Sequence, residues 1–234
     1  MNDEDVESGV QKNTSGFETN VQHAFLRKVF GIVLVQLLTT AGVCAAFRYL
    51  PQFDEALLEK TWFLLVNVVF VILLPFPLVA LKKAVPINYI LLQLFTLSYS
   101  FLVAHLAFRY DIESILRAFL MTIAVVVTLI IFTLQTDWEF DVLTGIACSL
   151  MSDLATAGMI QMICKTSPLF NLAVEIVTVF AFSLYLVIDV DNTRRCTDPE
   201  NYIVAAVNLY LDIINIFTSI LRLLGELLHD ESDD

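Results

Sequence analysis

Residues 202–224 read YIVAAVNLYLDIINIFTSILRLL, and one carboxylate, Asp212, stands at the centre of them. The stretch is long enough to cross a bilayer, for which about 20 mainly apolar residues suffice. An ionised aspartate in mid-span costs about 2.5–3.5 kcal/mol on the insertion scale, so a chain that keeps one there has a use for it. Working back from this segment, six more apolar stretches are long enough to span: 29–50, 61–81, 86–108, 114–134, 142–164 and 169–189. Composition agrees. The chain is 58% hydrophobic and 16% charged, with mean hydropathy +0.76, whereas soluble domains are about 45–50% apolar and about 25% charged. Strand-type alternation is absent, which excludes a β-barrel on pattern. The expectation is an all-α integral membrane protein of seven helices in a single domain over 29–224. A polar, acidic tail (1–28), expected to be disordered, precedes it, and an acidic tail (225–234) follows.

The net charge of −12 lies largely in these tails, in MNDEDVESG and GELLHDESDD. Such runs read as solvated ends, and they exclude a nucleic-acid partner. Cys44, Cys148, Cys164 and Cys196 show no metal-ligand spacing, and neither a disulfide nor zinc is expected. The first 28 residues lack the apolar core of a secretory signal, so membrane entry falls to the first span. Pro75 and Pro77 in the second span predict a kink or break there. With the N-terminus cytoplasmic, inside segments carry Lys12, Arg27, Lys28, Lys82, Lys83, Arg194 and Arg195. Outside segments carry Arg48, Lys60, Arg109, Arg117, Lys165 and Arg222. The basic pair Arg27–Lys28 directly before the first span favours this orientation, and the sequon at Asn13 should then stay unmodified.

Asp198-Pro199-Glu200 is a helix-start signal, with Asp198 as N-cap and Pro199 at the first helical position. The sixth and seventh helices should therefore form an antiparallel hairpin turning near 198–200. Asp189 lies about as far before that turn as Asp212 lies after it, roughly 15 Å at 1.5 Å per residue. Two carboxylates at one depth in a low-dielectric site cannot both ionise cheaply, so the pair should share a proton. The protonated pair can hydrogen-bond and hold the two helices together. The ionised pair must separate or bind a hard cation such as Ca²⁺, which favours carboxylate oxygens. Other polar residues inside spans are accessory candidates. Asp153 is near mid-span and is expected to face the bundle interior. Glu175 is expected near the interface, and Asp191 at the mouth of the site or solvated. His105 reads as a hydrogen-bonded packing residue, and Gln36 and Asn67 as interhelical hydrogen-bonders.

Several stretches resemble the transmembrane BAX inhibitor motif family, and within it the Lifeguard group: HAFLRKVFGIVLVQLLTT at 23–40, TLQTDWEF at 133–140, YLVIDVDN at 185–192 and ENYIVAAVNLYLDIINIFTSILRLL at 200–224. The resemblance runs in order from about residue 21 to 225. It implies a central seventh helix between two three-helix layers. It also implies a pH-sensitive Ca²⁺ leak from Golgi or endoplasmic-reticulum stores and suppression of cell death. The family's two-aspartate sensor maps onto Asp189 and Asp212, and its basic latch residue has Lys82 as nearest counterpart. The chain departs from the family pattern at Tyr99, where relatives often carry glutamate, and at Ile188, Val190 and Asp191. Asp153 and Glu175 stand where relatives are commonly apolar.

No enzymatic role is expected. The Gly-aspartate signature of an intramembrane aspartyl protease is missing around both Asp189 and Asp212, and the loops are too short for a folded receptor domain. Two functional expectations remain: a leak channel that passes Ca²⁺ without a bound cofactor, or a non-conducting regulator acting through apoptosis-regulating membrane proteins.

Overall fold

The computed structural model describes residues 3–49, 61–136, 141–163, 166–195 and 201–230, and every regular element among them is a helix. In chain order they are α1 (Asp3–Tyr49), α2 (Thr61–Leu73), α3 (Pro75–Ala80), α4 (Ile87–Ala107), α5 (Ile112–Gln135), α6 (Asp141–Ile163), α7 (Pro168–Arg195) and α8 (Tyr202–Asp230). Seven segments are long and apolar enough to cross a membrane: Gln22–Tyr49, Trp62–Ala80, Ile87–Ala107, Ile112–Gln135, Leu143–Gln161, Pro168–Arg195 and Tyr202–Leu227. The chain is a multi-pass membrane protein.

The second span is made of two helices, α2 and α3. Pro75 and Pro77 have no N–H to donate, while Leu74 still donates to Phe70 (2.9 Å) and Leu78 to Leu74 (3.1 Å). The helix is broken at Leu74 and resumes at Pro75, as the paired prolines predict.

Helix α8 is the centre of the molecule. Two-thirds of its spanning window (67%) is buried, against 39% or less for every other span. One layer, of α1, α2–α3 and α4, packs on one side of it, and the second layer, of α5, α6 and α7, on the other. Ile203, Ala206, Leu209, Tyr210, Ile216, Ile220 and Leu221 supply the buried face of α8. Lys28 of α1 stacks over the Tyr202 ring at 3.2 Å from its centroid, while Tyr110 of the α4–α5 connection lies against Gly225. The apolar parts of α1 and α8 thus begin at the same end of the bundle, and α8 finishes at the other. Between the layers an apolar cleft of about 420 Å³ opens among α1, α4, α5 and α8, lined by Cys44, Phe47, Val103, Phe119 and Phe217.

A ladder of small polar groups ties α1 to α4 and α8. Gln36 donates to Thr96 Oγ1 at 2.9 Å, and Thr40 Oγ1 lies 2.9 Å from both Ser100 Oγ and Tyr210 OH. Gln36 therefore joins two helices, as expected of it. Asn67 does not, because its amide donates to Phe63 O within its own helix (2.8 Å).

Candidate functional site

Helix α7 runs through Arg195, so the hairpin with α8 brings Asp189 and Asp212 to one level. The helix-start signal at 198–200 lies outside the described residues. The two carboxyl groups are within hydrogen-bonding reach of each other, and a hydrogen bond between carboxyls requires a proton on one of them. Asp212 is 5% exposed, and its Oδ2 has no partner. Asp189 is half-buried and also interacts with Asn192. Tyr185, one turn earlier on α7, meets Cys148 of α6 and lies within electrostatic reach of both aspartates. Apolar neighbours close the rest: Leu186, Val190, Leu209 and Ile213 are buried. Among the described residues no group of three or more His, Cys, Asp or Glu gathers to hold a resident metal ion. The chemistry on offer is an acid pair that takes up and releases a proton, or that an oxygen-seeking cation could visit.

The accessory acids fall elsewhere. Asp191 is not solvated at a mouth: it is 5% exposed, with Arg194 Nη2 at 2.9 Å and Arg195 Nε at 2.9 Å on its carboxylate. Positions 191, 194 and 195 share one face of α7, and the helix supplies its own counter-ions there. Arg194 also reaches Leu134 O at 3.5 Å. Asp153 does not face the interior; it is exposed on the outer side of α6. The physical reason is that α6 packs mainly on α7 at the edge of its layer, and only 6% of its spanning window is buried. Mid-span position says nothing about which side of a peripheral helix an acid takes.

Glu175, near the start of its span, is buried in the bundle at 6% exposed, and Arg222 of α8 donates to its Oε1 at 2.9 Å. Lys82 donates to Asn201 Oδ1 at the start of α8, and its carbonyl accepts from Asn88 (2.8 Å). Asp212 lies eleven positions after Asn201, about 16 Å of helix, so Lys82 does not reach the acid pair. His105 is half-buried and sits 3.4 Å from Arg109. Two features were not anticipated from sequence. The part of the polar ladder beyond Gln36 was hidden because serine and threonine are common in membrane helices, and the Glu175–Arg222 pair because its members are 47 residues apart.

Fold and site define a class: a seven-span helical membrane protein with an acid pair buried beside its central helix. A family model described as "Inhibitor of apoptosis-promoting Bax1" matches residues 22–228, and the chain belongs to that BAX inhibitor motif family. It is 30% identical over 214 residues to "Bax inhibitor 1" of Schizosaccharomyces pombe, covering 92% of this chain and 80% of the relative. It is 30% identical over 205 residues to the "Golgi anti-apoptotic protein" of Vaccinia virus (88% and 86% covered). With mouse "Protein lifeguard 4" it shares 31% over 208 residues (88% and 86% covered).

Proposed function

We propose that this protein is a pH-sensitive Ca²⁺ leak of a Golgi or endoplasmic-reticulum membrane, gated by Asp189 and Asp212, that lowers store calcium and so restrains apoptosis. The observation that carries the reading is the meeting of two carboxyls in the α7–α8 seam, one of them 5% exposed with an unpartnered oxygen. Protonated, the pair joins α7 to α8 and closes the path. Ionised, it repels, the hairpin loosens, and Ca²⁺ takes the place of the lost proton. The names of the relatives support the anti-apoptotic role, and that of the viral relative favours the Golgi.

The test is Ca²⁺ flux from proteoliposomes between about pH 5 and pH 8, where shared carboxyl protons in buried sites can titrate. Wild type should conduct more as pH rises. Asp212→Asn mimics the protonated carboxyl and should hold flux near that of empty liposomes throughout, and Asp189→Asn should flatten the pH dependence. Flux from wild type equal to empty liposomes would remove the channel reading.

Asp153 favours a second reading, a non-conducting regulator that works through membrane partners. It stands exposed on α6 beside Ser149, Ser152 and Thr156, and an acid turned to lipid is costly until another helix covers it. On this reading Asp153→Leu abolishes protection from cell death while store calcium is unchanged.

A further inference from the structure

A second pair of carboxylates occupies the same seam as Asp189 and Asp212, at the opposite end of the bundle. Glu175 precedes Asp189 by 14 residues on α7, and Glu226 follows Asp212 by 14 on α8. Fourteen residues are two heptads, the interval at which a left-handed helix pair returns the same positions to its seam. An antiparallel register that sets Asp189 against Asp212 therefore sets Glu175 against Glu226, about 21 Å further along.

Glu226 lies within electrostatic reach of Glu175, and Arg222, one turn earlier on α8, donates to Glu175 Oε1 at 2.9 Å. Oε2 of Glu175 and Oε2 of Glu226 are both buried without a partner. Tyr110 covers the cluster, its ring resting where any side chain on Gly225 would stand, and its hydroxyl feels Arg222, Glu175, Glu226 and Arg109. On α4, Tyr99 donates to Asn215 at 3.2 Å and lies within reach of Arg222. At the start of α5, Asp111 is taken up by Ser114 and Glu113 by Arg117.

The charges decide what the site takes. Two carboxylates face one guanidinium, and that guanidinium belongs to a side chain still 46% exposed. With both acids ionised, one negative charge and two buried oxygens go uncompensated, which a low-dielectric seam resists. One proton on Glu226 removes the excess charge and turns an unpartnered acceptor into a donor. We propose that Glu226 carries an exchangeable proton beside the Glu175–Arg222 ion pair, forming a second proton-binding site where α8 ends. This site stands whether or not the chain conducts Ca²⁺, since it uses none of the groups of the first pair.

The test is infrared difference spectroscopy of the full chain in lipid nanodiscs between low and high pH, reading the carbonyl stretch of protonated carboxyl groups. In an Asp189→Asn/Asp212→Asn background, a titrating carboxyl signal should persist, and adding Glu226→Gln should remove the amplitude of one group. Glu226→Gln leaves the Arg222–Glu175 ion pair intact, so it keeps the test open if Glu175→Gln fails to fold. A titrating signal of unchanged amplitude in Glu226→Gln, or none at all in the background protein, would mean that Glu226 binds no proton in this range and would overturn the proposal.

Discussion

Single side chains in this protein are costly to bury and therefore informative. Tyr210 is fully buried, and its hydroxyl closes on Thr40 beside Ser100. Tyr210→Phe should lower stability by about 1 kcal/mol, the usual net worth of one such hydrogen bond, read as a lower unfolding midpoint in detergent with flux retained. Arg222 faces the reverse situation, because it is the cation that pairs with the buried Glu175 carboxylate, at 2.9 Å. Arg222→Gln leaves the buried Glu175 carboxylate without its counter-ion and should destabilise the fold well beyond Tyr210→Phe. Adding Glu175→Gln to Arg222→Gln should recover part of that loss, and a double-mutant cycle measures the coupling.

At the scale of elements, caps and crossings set where helices begin and end. Asp111 caps α5, accepting from Ser114 Oγ at 2.7 Å and Ser114 N at 3.1 Å. These bonds hold its carboxyl below the usual carboxylate range, with the Ser114 hydroxyl the larger cause. A depressed folded-state value contributes stability above the unfolded one, about 3.9, and that contribution is lost as pH falls through the folded value. Hydrogen exchange in the first turn of α5 should therefore speed up in Asp111→Ala at neutral pH, and the difference from wild type should fade in strong acid. Gly225 makes the other point. Gly→Ala inside a helix ordinarily gains about 0.5–1 kcal/mol, but here the new methyl collides with the Tyr110 ring. Gly225→Ala should be destabilising in wild type and neutral or stabilising in a Tyr110→Ala background, as thermal unfolding of the four proteins would show.

For the whole molecule, the organising fact is one buried helix between two layers. Ala206 of α8 has no exposed surface, and both layers press on its helix. Ala206→Leu should cost about 1–3 kcal/mol through overpacking, whereas Leu120→Ala on the exposed face of α5 should change the unfolding midpoint little. Both acid pairs lie on the α7–α8 seam. Under both proposals, proton exchange at either end acts on the packing of the central helix against one layer.

By itself the sequence determined the membrane class, the existence of seven spans with most of their ends within three residues (the first begins earlier, at Gln22, and the sixth runs on to Arg195), the break at Pro75–Pro77 and the level at which Asp189 meets Asp212. These are readings of run length, proline chemistry and equal distance from a turn, all properties local to the chain. Only the tertiary structure decided which way each polar group faces. Asp153 turned outward because α6 is peripheral, Asp191 found Arg194 and Arg195 on its own helix, and Lys82 went to Asn201. Glu175 and Glu226 became neighbours because a hairpin register carries through two heptads, and a helix has no preferred face until its neighbours are in place.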